Sequence, residues 1–395
     1  EICACLVGSE MCIRDRHKIA RRRYLTGIVC VDVAVLIAFK ALGVFVSGSL
    51  LPLGISFYLF KMISYQADLY RGEIADSPGF MDTALYFMVF PQIAQGPIMR
   101  YEEGRTYALR YYSLEGFEDG LQYFVIGLSM KVLLADRLAI LWKDLQMIGY
   151  QSISTPLAWL GAVGYSLQLY FDFWGYSLMA SGLMVMLGFD FIENFHHPYA
   201  SKSISEFYRR WHMTLGTWFR EYVYIPLGGN RVTTAKHIRN LLIVWGLTGV
   251  WHGAGINFLL WGLYYGVLLI IEKYLIGGFL KKHKVIGHTF TLIAVVIGWM
   301  LFANTSFASL GQYFCMMFGI GKVSFFNATA GYFLRTSIVL LVLGVLFSTP
   351  IMHQLGEQIF VRYPKVSAAV RVFLFLLCIA ALVYQTYNPF LYFRF

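Results

Sequence analysis

The 395-residue sequence predicts an all-α, polytopic membrane protein, and three observations carry that expectation. Apolar residues make up 58% of the chain and charged residues 14%, against about 45–50% and about 25% in an ordinary soluble domain. Mean hydropathy is +0.60, concentrated in charge-poor windows, several of them as long as the roughly 20 residues a spanning helix needs. The 32 Lys+Arg exceed the 22 Asp+Glu, for a net charge of +10, but the bases occupy short gaps between apolar runs. That distribution suits a protein embedded in a lipid bilayer and excludes the basic polar face on which nucleic acid would bind.

The first 16 residues stand apart. They show no helical period and no small-residue cleavage site after a long apolar run, so they do not read as a signal peptide. Cys5 to Arg16 resembles translated sequencing-adapter read-through, which makes residues 1–16 an expected artefactual leader. The expectation for 17–395 is a single membrane domain lacking its first N-terminal helices. The six cysteines follow neither metal nor disulfide spacing.

Membrane windows follow in order: Tyr24 to Phe39 across Asp32, Leu51 to Ala67 across Lys61, Leu85 to Met99, and Leu121 to Met130. Leu145 to Phe189 contains one charge, Asp172, and Leu241 to Ile271 contains none. Thr289 to Gly321, Thr336 to Gly356 and Val372 to Phe393 are also free of charge. A window much longer than about 25 residues reads as two spans or one broken span, and the Gly-rich stretch 246–255 is the expected break in its window. The total is roughly nine to eleven membrane segments. Four bases in His17 to Arg23, Lys281, Lys282 and Lys284, and seven bases against two acids between Ala200 and Asn240 mark cytoplasmic segments.

Chemistry concentrates in two places. Ser203 and Glu206 have capping-box spacing, predicting a helix start, and Phe207, Trp211, Leu215, Trp218 and Tyr222 then recur at intervals of three and four as a buried stripe. This helix is too charged to cross lipid and belongs at the interface. His212 lies at the stripe's border, where it either reaches a cavity or bonds a headgroup or carbonyl. His252 stands inside a charge-free window beside Trp251, where a titratable group is costly and faces an internal cavity or another helix. Asn257 follows five residues later and suits orienting a tautomer or a substrate carbonyl.

Several motifs together carry a resemblance: residues 170–176 (YFDFWGY), 193–198 (ENFHHP), 207–215 (FYRRWHMTL), 226–231 (PLGGNR) and 251–254 (WHGA) with Asn257 and Phe258. Residues 90–101 (FPQIAQGPIMRY) and the terminal FLYFRF fit the same pattern. In this order they resemble the membrane-bound O-acyltransferase family, and within it the bacterial alginate O-acetyltransferase branch. The resemblance covers about Ile19 to the last residue. Ile256 stands where the family often has Trp, which bears on acceptor shape.

The resemblance implies helices around a central tunnel, in a multi-pass protein of the bacterial inner membrane. It implies acetyl transfer from cytoplasmic acetyl-CoA, or an acyl carrier thioester, to a hydroxyl, leading to O-acetylation of an extracytoplasmic polysaccharide such as alginate. It further implies an SGNH-type acetyltransferase partner outside the membrane, no bound cofactor and no metal. His252 is the implied general base and His212 a polarising or orienting group, with Trp211, Trp251 and Asn257 in support. Arg209, Arg210 and Arg231 are candidates for donor phosphates, although a solvated positive-inside loop explains the same charges. Asp172 is either functional or the cap of a half-helix beginning near Trp174. Tyr392 is either an acyl relay or part of an aromatic belt. D-alanyl or other acyl transfer to teichoic acid or a related polymer is the alternative acylation, and a secondary transporter, suggested by a discontinuity near Asp172, is the alternative from another class.

Overall fold

A computed structural model describes residues 18–45, 52, 54–74, 79–92, 96–104, 113–253, 255–320 and 325–384. The apolar windows become helices: α1 Lys18–Phe45, α2 Ile55–Arg71, α3 Phe80–Met88, α4 Leu114–Ser129, α5 Asp136–Ile148 and α6 Thr155–Met186. A polar stretch holds the short α7 Ile204–Arg210 and α8 Met213–Phe219. Then come α9 Thr234–His252, α10 Ile256–Ile271, α11 Lys284–Ala303, α12 Phe307–Met317, α13 Ala328–Phe347, α14 Pro350–Arg362 and α15 Pro364–Tyr384. Among the described residues there is no strand beyond one isolated bridge.

Among the described residues, five helical stretches are long and apolar enough to cross a membrane: Arg22–Gly43, Ile256–Lys282, Lys284–Ala303, Ala328–Phe347 and Pro364–Tyr384. Their exposed faces are apolar, as at Val339, Phe373 and Val383, and a surface of that kind belongs against lipid. The chain is a membrane protein.

Two windows differ from expectation. Leu85 to Met99 is not one segment: α3 stops at Met88, Phe90–Gln92 form a short turn, and 97–100 have no regular secondary structure. Pro91 and Pro97 lack the amide hydrogens a helix needs there. The window from Leu145 to Phe189 contains a single unbroken helix of 32 residues, α6, about 48 Å long at 1.5 Å per residue. Most of α6 is buried by other helices, so protein rather than the bilayer sets its length.

Glycines set how closely helices approach. Gly120 and Gly127 on α4 face Gly182 and Gly175 on α6, and a Cβ at any of the four would run into opposing backbone. Small residues seven apart on both helices thus allow backbone contact. The expected break at 246–255 is found, since α9 ends at His252 and α10 starts at Ile256. Gly249 and Gly262 press the two arms of this hairpin together, with no room for a side chain at either.

Candidate active site

The helix predicted from Ser203 begins where expected. Ser203 Oγ accepts from Glu206 N at 3.0 Å, and the Glu206 carboxylate reaches Lys202 N at 2.9 Å, one residue earlier than a capping box requires. The buried Glu272 carboxylate also receives Ile204 N at 2.6 Å and Ser205 N at 3.1 Å. Anionic oxygens on the free amides of a first helical turn are stabilising, so Glu272 anchors the start of α7 to the far end of α10.

The single helix expected through Tyr222 is interrupted. Trp211 is extended and pairs with Phe195, and His212 takes a left-handed conformation with φ 45°. Such a conformation costs a non-glycine residue on the order of 1–3 kcal/mol and persists where surrounding bonds over-determine it. Here His196 N donates to Arg210 O, and Met213 N to Asn194 O, both at 2.9 Å. The predicted stripe is otherwise kept: Phe207, Trp211, Leu215 and Trp218 are buried, and Tyr222 is half-buried.

The break turns His212 inward, and the ring is buried. Its Nδ1 lies 3.0 Å from Asn194 Oδ1, and its Nε2 has no hydrogen-bond partner among the described residues. Asn194 Oδ1 also accepts from Thr214 N at 3.3 Å and Thr214 Oγ at 3.0 Å, while Asn194 Nδ2 donates to Ser177 Oγ at 3.0 Å. Thr214 Oγ in turn accepts from Ile98 N at 3.0 Å. The segment carrying His212 lies outside the membrane-spanning helices, and burial pulls its imidazole down to about 3, so the ring is neutral at pH 7.

His252 closes α9, half-buried among aromatic rings. Its centroid lies 4.6 Å from Trp251, 4.9 Å from Trp261 and 5.2 Å from Phe302. Trp251 is 6.3 Å from the His212 ring, so both imidazoles border one indole. They are close enough for a charge on either to act on the other, and Lys40 of α1 also acts on His252. Lys40 Nζ donates to the backbone oxygen of Trp251.

A sequence profile described as "MBOAT, membrane-bound O-acyltransferase family" matches residues 69–320. The chain belongs to the membrane-bound O-acyltransferase family. It is 40% identical over 312 residues to the "Probable alginate O-acetylase AlgI" of Pseudomonas fluorescens, covering 78% of this chain and 63% of that protein. The Pseudomonas putida protein of the same name is 36% identical over 367 residues, covering 88% and 75%. The "Peptidoglycan O-acetyltransferase" of Helicobacter pylori is 33% identical, covering 70% and 58%. The "Teichoic acid D-alanyltransferase" of Bacillus subtilis is 30% identical, covering 62% and 65%. The chain thus spans between about three fifths and three quarters of these relatives' lengths.

In this member of the family the other candidate residues fall as follows. Trp211 is buried against Phe207, Phe195 and Trp299, at centroid distances of 5.5, 5.1 and 4.8 Å. Asn257 Nδ2 donates to Phe302 O at 3.1 Å, and its buried Oδ1 has no partner among the described residues. Arg209 and Arg231 are exposed, whereas Arg210 pairs with Glu206 at 2.7 Å. Pro226 to Arg231 forms a turn with Gly228 and Gly229 left-handed, held by Asn240 Nδ2 on the carbonyls of Leu227 and Gly229.

Asp172 does not cap a half-helix, because α6 runs through it unbroken. Its carboxylate instead meets Lys131 Nζ at 2.7 Å, and Lys131 also meets Asp136 at 2.7 Å. All three groups are buried. The apparent discontinuity that pointed to a transporter is therefore absent. Tyr392 lies outside the described residues. Among the described residues, no three His, Cys, Asp or Glu side chains converge as metal ligands would. Asn194, Lys40, Lys131, Asp136 and Glu272 were not singled out by sequence, although Asn194 lies within the 193–198 motif.

Proposed function

We propose that this chain transfers an acetyl group from a cytoplasmic thioester, acetyl-CoA or an acyl carrier, to a hydroxyl, leading to O-acetylation of an extracytoplasmic polysaccharide. The observation that carries the reading is the convergence of two imidazoles, His212 and His252, on one indole within an apolar helical bundle. The similarity to alginate and peptidoglycan O-acetyltransferases supports acetyl as the group and a polysaccharide as the destination. The chemistry needs a group to remove the hydroxyl proton. His252 takes that proton as the oxygen attacks the thioester carbon. The C–S bond then breaks, and the imidazolium returns the proton to the departing thiolate. Trp211, Trp251 and Asn257 shape the surroundings of the two rings.

In this reading the protein crosses the bacterial inner membrane in roughly nine to eleven segments around a tunnel. Arg209, Arg210 and Arg231 attract donor phosphates at its cytoplasmic mouth, and an SGNH-type partner receives the acetyl group outside. Tyr392 serves as a relay only if Tyr392→Phe lowers acetylation. D-alanyl transfer to teichoic acid is the second reading, favoured by the Bacillus subtilis relative. The test is thiol release by purified protein in nanodiscs, given acetyl-CoA or a D-alanyl carrier thioester. Thiol release with acetyl-CoA that is lost in His252→Ala is the expected result. Release with the D-alanyl thioester alone would select the second reading, and release with neither would reject both.

A further inference from the structure

We propose that Asn194 is a positioning residue that fixes His212 as the tautomer protonated on Nδ1, so that Nε2 meets the substrates as a hydrogen-bond acceptor and not as a donor. The inference rests on the acyl-transfer reading of this site and deepens it.

A backbone N–H is always a donor, and Thr214 N points at one end of the Asn194 amide from 3.3 Å. That end must therefore be the carbonyl oxygen; turning the amide over would set two donors against each other. The opposite end agrees, because Asn194 Nδ2 donates to Ser177 Oγ at 3.0 Å. Thr214 Oγ already accepts from Ile98 N, so its own hydrogen is available for Asn194 Oδ1. A backbone donor at each of two points thus fixes the direction of the whole chain of bonds.

His212 Nδ1 faces the same oxygen from 3.0 Å. An amide oxygen only accepts, so Nδ1 carries the hydrogen, and in a neutral imidazole Nε2 is left with its lone pair. That lone pair is buried and has no partner among the described residues. An unpaired buried acceptor is costly unless something arrives to use it, and the ring that carries it borders Trp251 beside His252. The polarising role suggested for His212 by the sequence requires an N–H aimed at the thioester oxygen. A neutral ring whose single hydrogen is committed to Asn194 has none to offer. His212 acts on the reaction by accepting a substrate O–H or N–H.

The same network explains why His212 tolerates its left-handed backbone. Asn194 O receives Met213 N at 2.9 Å while Asn194 Oδ1 receives the His212 ring, so one residue holds both the main chain and the side chain. Among titratable groups, His252 borders the same indole as His212, and Lys40, bonded to the Trp251 backbone oxygen, acts on His252.

The test is Asn194→Asp, assayed by thiol release from acetyl-CoA between pH 5.5 and 9. The carboxylate keeps an acceptor for Nδ1 but adds a negative charge that favours the imidazolium, which has no lone pair on Nε2. The expected result is an acid limb of kcat/KM displaced to higher pH, with a loss that deepens as pH falls to 5.5 and a rate within about threefold of wild type near pH 8.5. The displacement should disappear when His212→Asn is added, which separates His212 from His252. A gain of activity at low pH, or an equal loss at every pH, would overturn the proposal. Silence of the wild-type protein would instead defeat the acyl-transfer reading itself. If Asn194→Asp fails to assemble, histidine-selective 15N spectra of wild type, assigned with His212→Asn, decide the matter directly: protonated Nδ1 supports the proposal and protonated Nε2 overturns it.

Discussion

The two histidines are held in different ways. His212 is placed by hydrogen bonds: Asn194 grips its ring, and backbone pairs on both sides fix a conformation that an imidazole would otherwise avoid. His252 ends a helix and is surrounded by the rings of Trp251, Trp261 and Phe302, with the α9–α10 hairpin closed by Gly249 and Gly262. Directional bonds specify which ring nitrogen carries a proton. Ring packing specifies where an imidazole sits with less constraint on its protons. The two supports therefore suit the different tasks proposed above, a fixed tautomer at His212 and proton transfer at His252.

That contrast can be broken at its packed side first. Trp261 is buried and touches His252, Tyr265 and Trp299. Trp261→Ala should cost about 3–5 kcal/mol of stability, as large-to-small changes in well-packed cores do, read as a lowered Tm in nanodiscs together with a fall in kcat. A stable variant with normal kcat would show that the rings do not place His252. On the bonded side, Thr214→Val removes the hydroxyl donor to Asn194 and strands Ile98 N, for about 1–3 kcal/mol. We expect a lower kcat at nearly unchanged KM, because substrate contacts stay while the His212 ring loosens.

The smallest effect sharpens the comparison with a third histidine. His197 is also left-handed, with φ 46°, and is buried with Nδ1 unpartnered among the described residues. Burial, and then the charges of His353 and His196, lower it to about 4 from 6.5. A folded-state pKa below the unfolded value means the unfolded chain binds more protons between these two pH values. The contribution of His197 is therefore whole above about pH 6.5 and is lost as pH falls towards 4. His197→Asn, whose side chain tolerates the left-handed region, should flatten the decline of Tm across that window. An unchanged slope would assign the acid sensitivity elsewhere.

What the sequence revealed follows the range of the interactions. The cap at Ser203 and the break after His252 are local, encoded in adjacent residues, and both were legible. The interruption at Trp211 and His212 was not, because its cause is a bridge to Phe195 and a bond to Asn194, 16 and 18 residues upstream. Helical spacing through Tyr222 is still satisfied on either side of the break, so periodicity alone reads straight across it. The half-helix cap, one of the two readings of Asp172, fails for the same reason: its partner Lys131 lies 41 residues away on another element. Removing one member of a buried ion pair costs more than the pair itself contributes. That asymmetry makes Lys131 a fixture of the α4–α6 seam, although no local pattern announces it.

In the proposed reaction His212 and His252 serve one reacting centre. The most direct test measures kcat for thiol release in His212→Ala, His252→Ala and the double variant. Residues that act as a unit are grossly non-additive, so the double variant should be no more than about threefold slower than His252→Ala alone. Losses that multiply, or a His212→Ala variant with wild-type kcat, would contradict a shared centre.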